Sequence, residues 1–130
     1  MARILVIDDD DAFRDTLVRM LGELGHTPAA AANGLDGVRL FRASGADLII
    51  TDIIMPYGGL ATIRVLRAEF PNLGIIAMSG GGEFRLDYAA ALGAYRQLAK
   101  PFTQQQLLAA ITAVLAAYPP GSGPAESTKT

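Results

Sequence analysis

The sequence predicts an α/β fold: a (βα)5 doubly wound sheet of five parallel strands. Three observations carry that prediction. Short aliphatic runs recur along the chain, longer stretches of helical period separate them, and each run stops abruptly at polar or charged residues. The runs are continuous in apolar character rather than alternating, which suits strands covered on both faces, as in a parallel sheet. Their ends fall at residues 8, 32, 52, 79 and 100, so successive ends lie 24, 20, 27 and 21 residues apart. Each interval holds one helix, one strand and short turns, the unit of a right-handed crossover.

The first run, Ile4-Leu5-Val6-Ile7, stops at four consecutive aspartates, Asp8 to Asp11. Phe13, Leu17, Leu21 and Leu24 then step by four, four and three, which puts them on one helix face, and Gly25 ends that helix. Ala29-Ala30-Ala31-Ala32 prefers helix by propensity. Pro28 and Asn33-Gly34 leave it too short for one, and its place between two helices makes it the second strand. Leu35, Val38 and Phe41 form the next stripe. Leu48-Ile49-Ile50 runs into Thr51-Asp52, followed by a stripe of Leu60, Ile63, Leu66 and Phe70 closed by Pro71. Ile75-Ile76-Ala77-Met78 runs into Ser79 and three glycines, and Phe84, Tyr88 and Leu92 mark the fourth helix. Gln97-Leu98-Ala99 runs into Lys100-Pro101. The last stripe takes Leu107, Ile111, Val114 or Leu115, and Tyr118, and Pro119-Pro120 ends it. Residues 1–118 therefore read as one domain, and the segment 119–130, with no aliphatic side chain larger than Ala, reads as a disordered tail.

Composition narrows the function classes. With 130 residues the chain can bury a sizeable core, and the absence of Cys removes disulfides, thiolate zinc, iron–sulfur clusters and thiol catalysis. A net charge of −2 and a pI near 5.2 give no general pull toward phosphate backbones or anionic lipid, so neither direct nucleic-acid nor membrane binding is expected. No apolar stretch approaches a membrane span, and the N-terminus lacks a signal-peptide layout, which reads as cytoplasmic.

Ligands of an open parallel sheet bind beyond the carboxyl ends of its strands. The residues there are Asp8 and Asp9 after the first strand, Asp52 after the third, Ser79 after the fourth and Lys100 after the fifth. Carboxylates crowded in a partly dry cleft repel one another, and a divalent cation removes that penalty. The donors are all hard oxygens, with no His or Cys beside them, which selects Mg²⁺ or Mn²⁺ over zinc or copper. A carboxylate can act as a covalent nucleophile toward phosphorus, and a metal, an ammonium and a hydroxyl can neutralise the phosphoryl oxygens. Asp10 and Asp11 read instead as caps and dipole partners of the first helix. Gly80-Gly81-Gly82 reads equally well as an anion-binding nest or as a turn, and His26 as a solvated turn residue.

Taken together, Ile4-Leu5-Val6-Ile7-Asp8-Asp9, Asp52-Ile53-Ile54-Met55-Pro56, Met78-Ser79-Gly80 and Lys100-Pro101-Phe102 resemble the CheY-like receiver domains of two-component response regulators. The resemblance implies a flavodoxin-like sheet of strand order 2-1-3-4-5, with residues 1–118 as the receiver. It implies Asp52 as the phosphoacceptor, and Asp8, Asp9, Asp52 and the Ile54 backbone carbonyl as ligands of Mg²⁺. Ser79 would bond a phosphoryl oxygen, Lys100 would pair with the phosphoryl group, and the Lys100–Pro101 peptide would be cis. The phosphoryl donor would be a sensor histidine kinase or a histidine phosphotransfer protein. Output would pass to a downstream protein through the face of the fourth helix, fifth strand and fifth helix, with Arg85, Tyr88, Tyr95, Arg96 and Gln104 as candidate contacts. The chain would act as a monomer or a phosphorylation-dependent dimer, and would not be an enzyme beyond slow self-dephosphorylation.

The sequence departs from this pattern in three places. Gln97 stands where receivers usually carry an aromatic switch residue, with Tyr95 two residues earlier. The loop Tyr57-Gly58-Gly59-Leu60 is one residue shorter than the common form. Ile54 and Gly81 occupy the positions that tune dephosphorylation, and neither side chain can orient a water. Phospho-Asp52 should therefore decay slowly, and Ile54→Asn should hasten the decay; an unchanged or slower decay in that variant refutes this. Two rival readings remain: a receiver-like binding module that is never phosphorylated, and a Mg²⁺-dependent aspartyl-phosphate phosphohydrolase. The second rival ordinarily needs another Asp two residues after its nucleophile, where Ile54 stands.

Overall fold

In a computed structural model, which describes residues 2–53, 55, 59–80, 90 and 93–119, every aliphatic run becomes a strand. The elements are β1 (Arg3–Ile7), α1 (Asp11–Glu23), β2 (Thr27–Ala31), α2 (Gly34–Ser44), β3 (Leu48–Asp52), α3 (Gly59–Glu69), β4 (Gly74–Ser79), β5 (Arg96–Ala99) and α4 (Gln104–Ala117). The five strands form one parallel sheet in the order β2-β1-β3-β4-β5, as expected. The stripe Phe84, Tyr88 and Leu92 lies outside the described residues, as do Gly81, Gly82 and residues 120–130. No helix among the described residues is long and apolar enough to cross a membrane.

Side chains alternate between the two faces of a strand, and the core divides accordingly. Leu5, Ile7, Ile49, Ile75 and Ala77 pack with Val38 and Phe41 of α2 and with Ile63 and Leu66 of α3. Ile4, Val6, Leu48, Ile50, Ile76, Met78 and Leu98 pack on the other face with Leu17 and Leu21 of α1 and with Leu107, Ile111 and Val114 of α4. Both faces of the central strands are dry, which is why their runs are apolar without alternation. Polar caps fix where the helices start. Asp10 accepts from the Phe13 amide, Asn33 from the Asp36 amide, and Thr103 and Gln106 form a reciprocal capping box at α4. Gly25, at φ 90°, closes α1.

Two expectations need correction. Leu35 does not join the buried stripe of α2 but stands 58% exposed; Gly34, Gly37, Val38 and Phe41 make the buried side instead. A Cβ on Gly37 would lie 2.4 Å from Ile7 Cδ1, so the helix touches β1 through its glycine rather than through a leucine. His26 is not a solvated turn residue. It is half-buried, and its Nδ1 accepts a hydrogen bond of 3.1 Å from the Ala2 amide.

Candidate functional site

Asp8 directly follows β1, Asp52 ends β3 and Lys100 directly follows β5. β1 and β3 are neighbours, with Ile7 paired to Thr51, so Asp8 and Asp52 come next to each other at the carboxyl rim. All three numbers continue the even series of their strands, the face packed on α1 and α4. Asp8 is fully buried and Asp52 is 5% exposed, whereas Asp9 is exposed. One oxygen from each of Asp8, Asp9 and Asp52 falls within 4.8 Å of the others.

Lys100 closes the cluster. Its Nζ donates to Asp8 Oδ2 at 2.8 Å and to Asp52 Oδ2 at 2.6 Å. Burial alone would pull this ammonium below its ordinary pKa, but the hydrogen bonds and negative charges of Asp52 and Asp8 outweigh it, and the net shift is upward. Lys100 is thus held as a cation. Asp8 is fixed from two further sides: its Oδ1 accepts from the Asp10 amide at 2.9 Å, and its carbonyl accepts from Arg14 Nη1 at 2.7 Å. Arg14 Nη2 in turn pairs with Asp11 at 2.6 Å. Asp10 and Asp11 therefore serve α1 and its approach, as the sequence suggested, rather than the carboxylate cluster.

Ser79 lies at the same rim, 3% exposed, at the end of β4 and in register with Ala99, the residue before Lys100. The Lys100–Pro101 peptide is cis, as expected. Ile54 and the segment 56–58 lie outside the described residues, so the fourth oxygen expected for a cation is outside them too. Where the short loop rejoins the fold, α3 starts at Gly59 hard against β3: a Cβ there would lie 2.2 Å from the Asp52 carbonyl oxygen.

Sequence reasoning missed three contributors: Phe13, Arg14 and Gly59. Phe13 was legible only as a member of the α1 stripe, yet its ring lies 4.2 Å, to the centroid, from Lys100 Nζ. Phe102 meets that ring edge-on, centroids 5.6 Å apart. On the expected output face, Tyr95 stacks edge-on against Tyr118 at 5.5 Å and Arg96 covers Tyr95 at 4.8 Å. Gln97, at the usual switch position, is half-buried with its Nε2 on the Ala94 carbonyl at 3.2 Å. Gln97, Leu98, Phe102, Gln106 and Ala113 line an open groove of about 560 Å³. Arg85 and Tyr88 lie outside the described residues, and Gln104 begins α4 on the surface.

The donor set fits a hard divalent cation. Three carboxylates and one ammonium leave an excess of negative charge at a largely buried rim, and every donor that could close it is oxygen.

Comparisons agree with this geometry. Residues 4–112 match the model of the response regulator receiver domain. The chain is 36% identical over 120 residues to protein PilH of Pseudomonas aeruginosa, covering 89% of this chain and 99% of PilH. It is 34% identical over 124 residues to response regulator MprA of Mycobacterium sp. (strain KMS), covering 94% of this chain and 54% of MprA, so it spans about half of that relative's length. In structure it is similar to response regulator TrrA of Thermotoga maritima in complex with Mg²⁺ and BeF: TM-score 0.82, 30% identity, covering 88% of this chain and 100% of TrrA.

Proposed function

Since the chain belongs to the response regulator receiver domain family, whose members are phosphoacceptor signalling domains of two-component systems, we propose that Asp52 is its phosphoacceptor. The donor in this reading is a phosphohistidine on a sensor kinase or phosphotransfer protein. A carboxylate oxygen of Asp52 attacks phosphorus, the P–N bond breaks with its electron pair left on the imidazole nitrogen, and an acyl phosphate forms. Lys100 neutralises the incoming charge, and the Ser79 hydroxyl donates to a phosphoryl oxygen. Asp8, Asp9 and Asp52, with the Ile54 carbonyl, would hold Mg²⁺ or Mn²⁺, which when bound offsets negative charge on the phosphoryl oxygens. TrrA's complex with Mg²⁺ and BeF supports that ligand class. The receiver spans residues 1–118, works in the cytoplasm, and signals through β5, α4 and the helix expected over 84–92, as a monomer or a phosphorylation-dependent dimer.

The observation that carries the reading is the Lys100 ammonium held between Asp8 and Asp52, with Asp9 beside them. Incubation with Mg²⁺ and acetyl phosphate, followed by intact mass, tests it. One phosphoryl adduct is expected on the wild type and none on Asp52→Asn. No adduct on either protein favours a binding module, and turnover of phosphate esters favours the phosphohydrolase.

A further inference from the structure

We propose that Phe13 is a positioning residue for phosphoryl acceptance: its ring face holds the Lys100 ammonium in place beside Asp52. This rests on the phosphoacceptor reading above.

Phe13 heads the apolar stripe of α1 and is only half-buried, so an aliphatic side chain would satisfy the packing there. What an aliphatic chain lacks is a negative π face, and the Lys100 nitrogen lies 4.2 Å from the centre of that face. Phe102 braces the ring with its edge at an interplanar angle of 81°. The ammonium therefore meets three surfaces: Asp8, Asp52 and the Phe13 ring. During transfer one of these must change, because an Asp52 oxygen becomes bonded to phosphorus as an acyl phosphate and its charge moves onto the phosphoryl group. The ring is uncharged and does not change. It keeps the lysine at the rim while the cation exchanges part of its hold on Asp52 for a phosphoryl oxygen. Without it, Asp8 alone holds the end of a side chain with four rotatable carbon–carbon bonds through that exchange.

The test uses the full chain as wild type, Phe13→Leu and Phe13→Tyr, with Mg²⁺ and acetyl phosphate and with adduct formation timed by intact mass. Phe13→Leu should slow phosphorylation by roughly three- to thirtyfold, the factor equivalent to one partly desolvated cation–π contact. Phe13→Tyr keeps the face and should stay within about twofold of wild type. Proton NMR supplies a second readout that packing alone does not move. The Lys100 ε-methylene protons should resonate upfield in wild type and Phe13→Tyr, through the ring current, and lose that shift in Phe13→Leu. Equal rates in wild type and Phe13→Leu overturn the proposal. So does a Phe13→Tyr as slow as Phe13→Leu, or an unshifted Lys100 in wild type. Failure of the phosphoacceptor reading would look different: no protein gains an adduct while the upfield shift persists, and both proposals then fall.

Discussion

At the amino-terminal rim of the sheet, Arg3, His26 and Arg67 direct their polar atoms at backbone; at the carboxyl-terminal rim, Asp8, Asp9, Asp52 and Lys100 face one another. Arg3 Nη2 donates to the Ser44 carbonyl at 2.6 Å, and its amide donates to Asp47 at 2.8 Å. Arg67 reaches the Gly93 carbonyl at 2.9 Å and the Pro71 carbonyl at 2.8 Å, and lies 5.2 Å from the centre of the Tyr118 ring. These contacts tie loops to helix ends. The opposite rim carries an excess of like charge, because one ammonium cannot balance three carboxylates. Neutral backbone partners make a rim stable. An excess of like charge makes it receptive, at a cost in stability that Lys100 offsets in part and an added cation offsets further.

Removing Arg67 should give the largest loss. Arg67→Met leaves the carbonyls of Phe70, Pro71 and Gly93 without this donor. We expect a loss of about 2–4 kcal/mol in urea unfolding, with partial recovery in Arg67→Lys, which cannot reproduce the fork. Acetyl phosphate should still phosphorylate Arg67→Met at near the wild-type rate under native conditions. A variant as stable as wild type would erase the contrast between the rims.

Mg²⁺ tests the receptive rim directly. At a concentration a hundredfold above its Kd, the ion should stabilise the wild type by about 2.7 kcal/mol through mass action. Asp9 is the exposed member of the cluster, so Asp9→Asn should leave the fold intact while weakening the ion's hold. A tenfold weaker site at the same Mg²⁺ concentration retains about 1.4 kcal/mol of that increment. Without Mg²⁺, Asp9→Asn should melt no lower than wild type, because the substitution relieves repulsion. A lower melting point there would mean that the carboxylates support the fold rather than await a cation.

Gly59→Ala should damage both properties of the carboxyl rim at once. Its Cβ would collide with the Asp52 carbonyl oxygen and with Ile53 Cα, at 2.2 and 2.4 Å, and both are backbone atoms that cannot rotate away. A loss of about 1–3 kcal/mol is expected, together with slower phosphorylation as Asp52 is displaced. Gly22→Ala is the matched control, since a Cβ there meets nothing within 4 Å. Equal effects of the two substitutions would show that the close approach of α3 to β3 is not what sets the acceptor's position.

The strands were legible in the sequence because β1, β3 and β4 are dry on both faces, and β2 was legible by its place in the series although its alanines favour helix. Asp8 and Asp52 were legible because each closes a strand's apolar run, where burial without a partner is costly, and Asp9 was legible by its place beside Asp8. Arg67, His26 and Phe13 were not, because their meaning lies in partners 26, 24 and 87 residues away. Arg67 falls between Leu66 and Phe70 of its stripe and reads as a surface arginine. Leu35 failed in the opposite sense: period alone placed it inward, but Gly37 brings α2 close against Ile7 of β1, and the buried side is made by Gly34, Gly37, Val38 and Phe41.

The smallest expected effect concerns pH, and again it separates the rims. Burial first, and then the positive charge of the nearby N-terminus, lower the His26 pKa below its ordinary value of 6.5. The fold therefore prefers the neutral ring, whose Nδ1 accepts from the Ala2 amide. A group whose pKa falls on folding binds protons more readily in the unfolded chain. For a histidine, the stabilisation it brings is complete above the unfolded pKa and drains away as pH falls through 6.5 toward the lower folded value. Urea midpoints of the wild type should accordingly decline between about pH 7.5 and 5.5. His26→Gln offers an acceptor that does not titrate and should flatten that slope, leaving the Mg²⁺ increment at pH 7.5 unchanged. Parallel slopes in the two proteins would show that the amino-terminal rim is held by Arg3 and Arg67 alone, with the histidine a bystander to it.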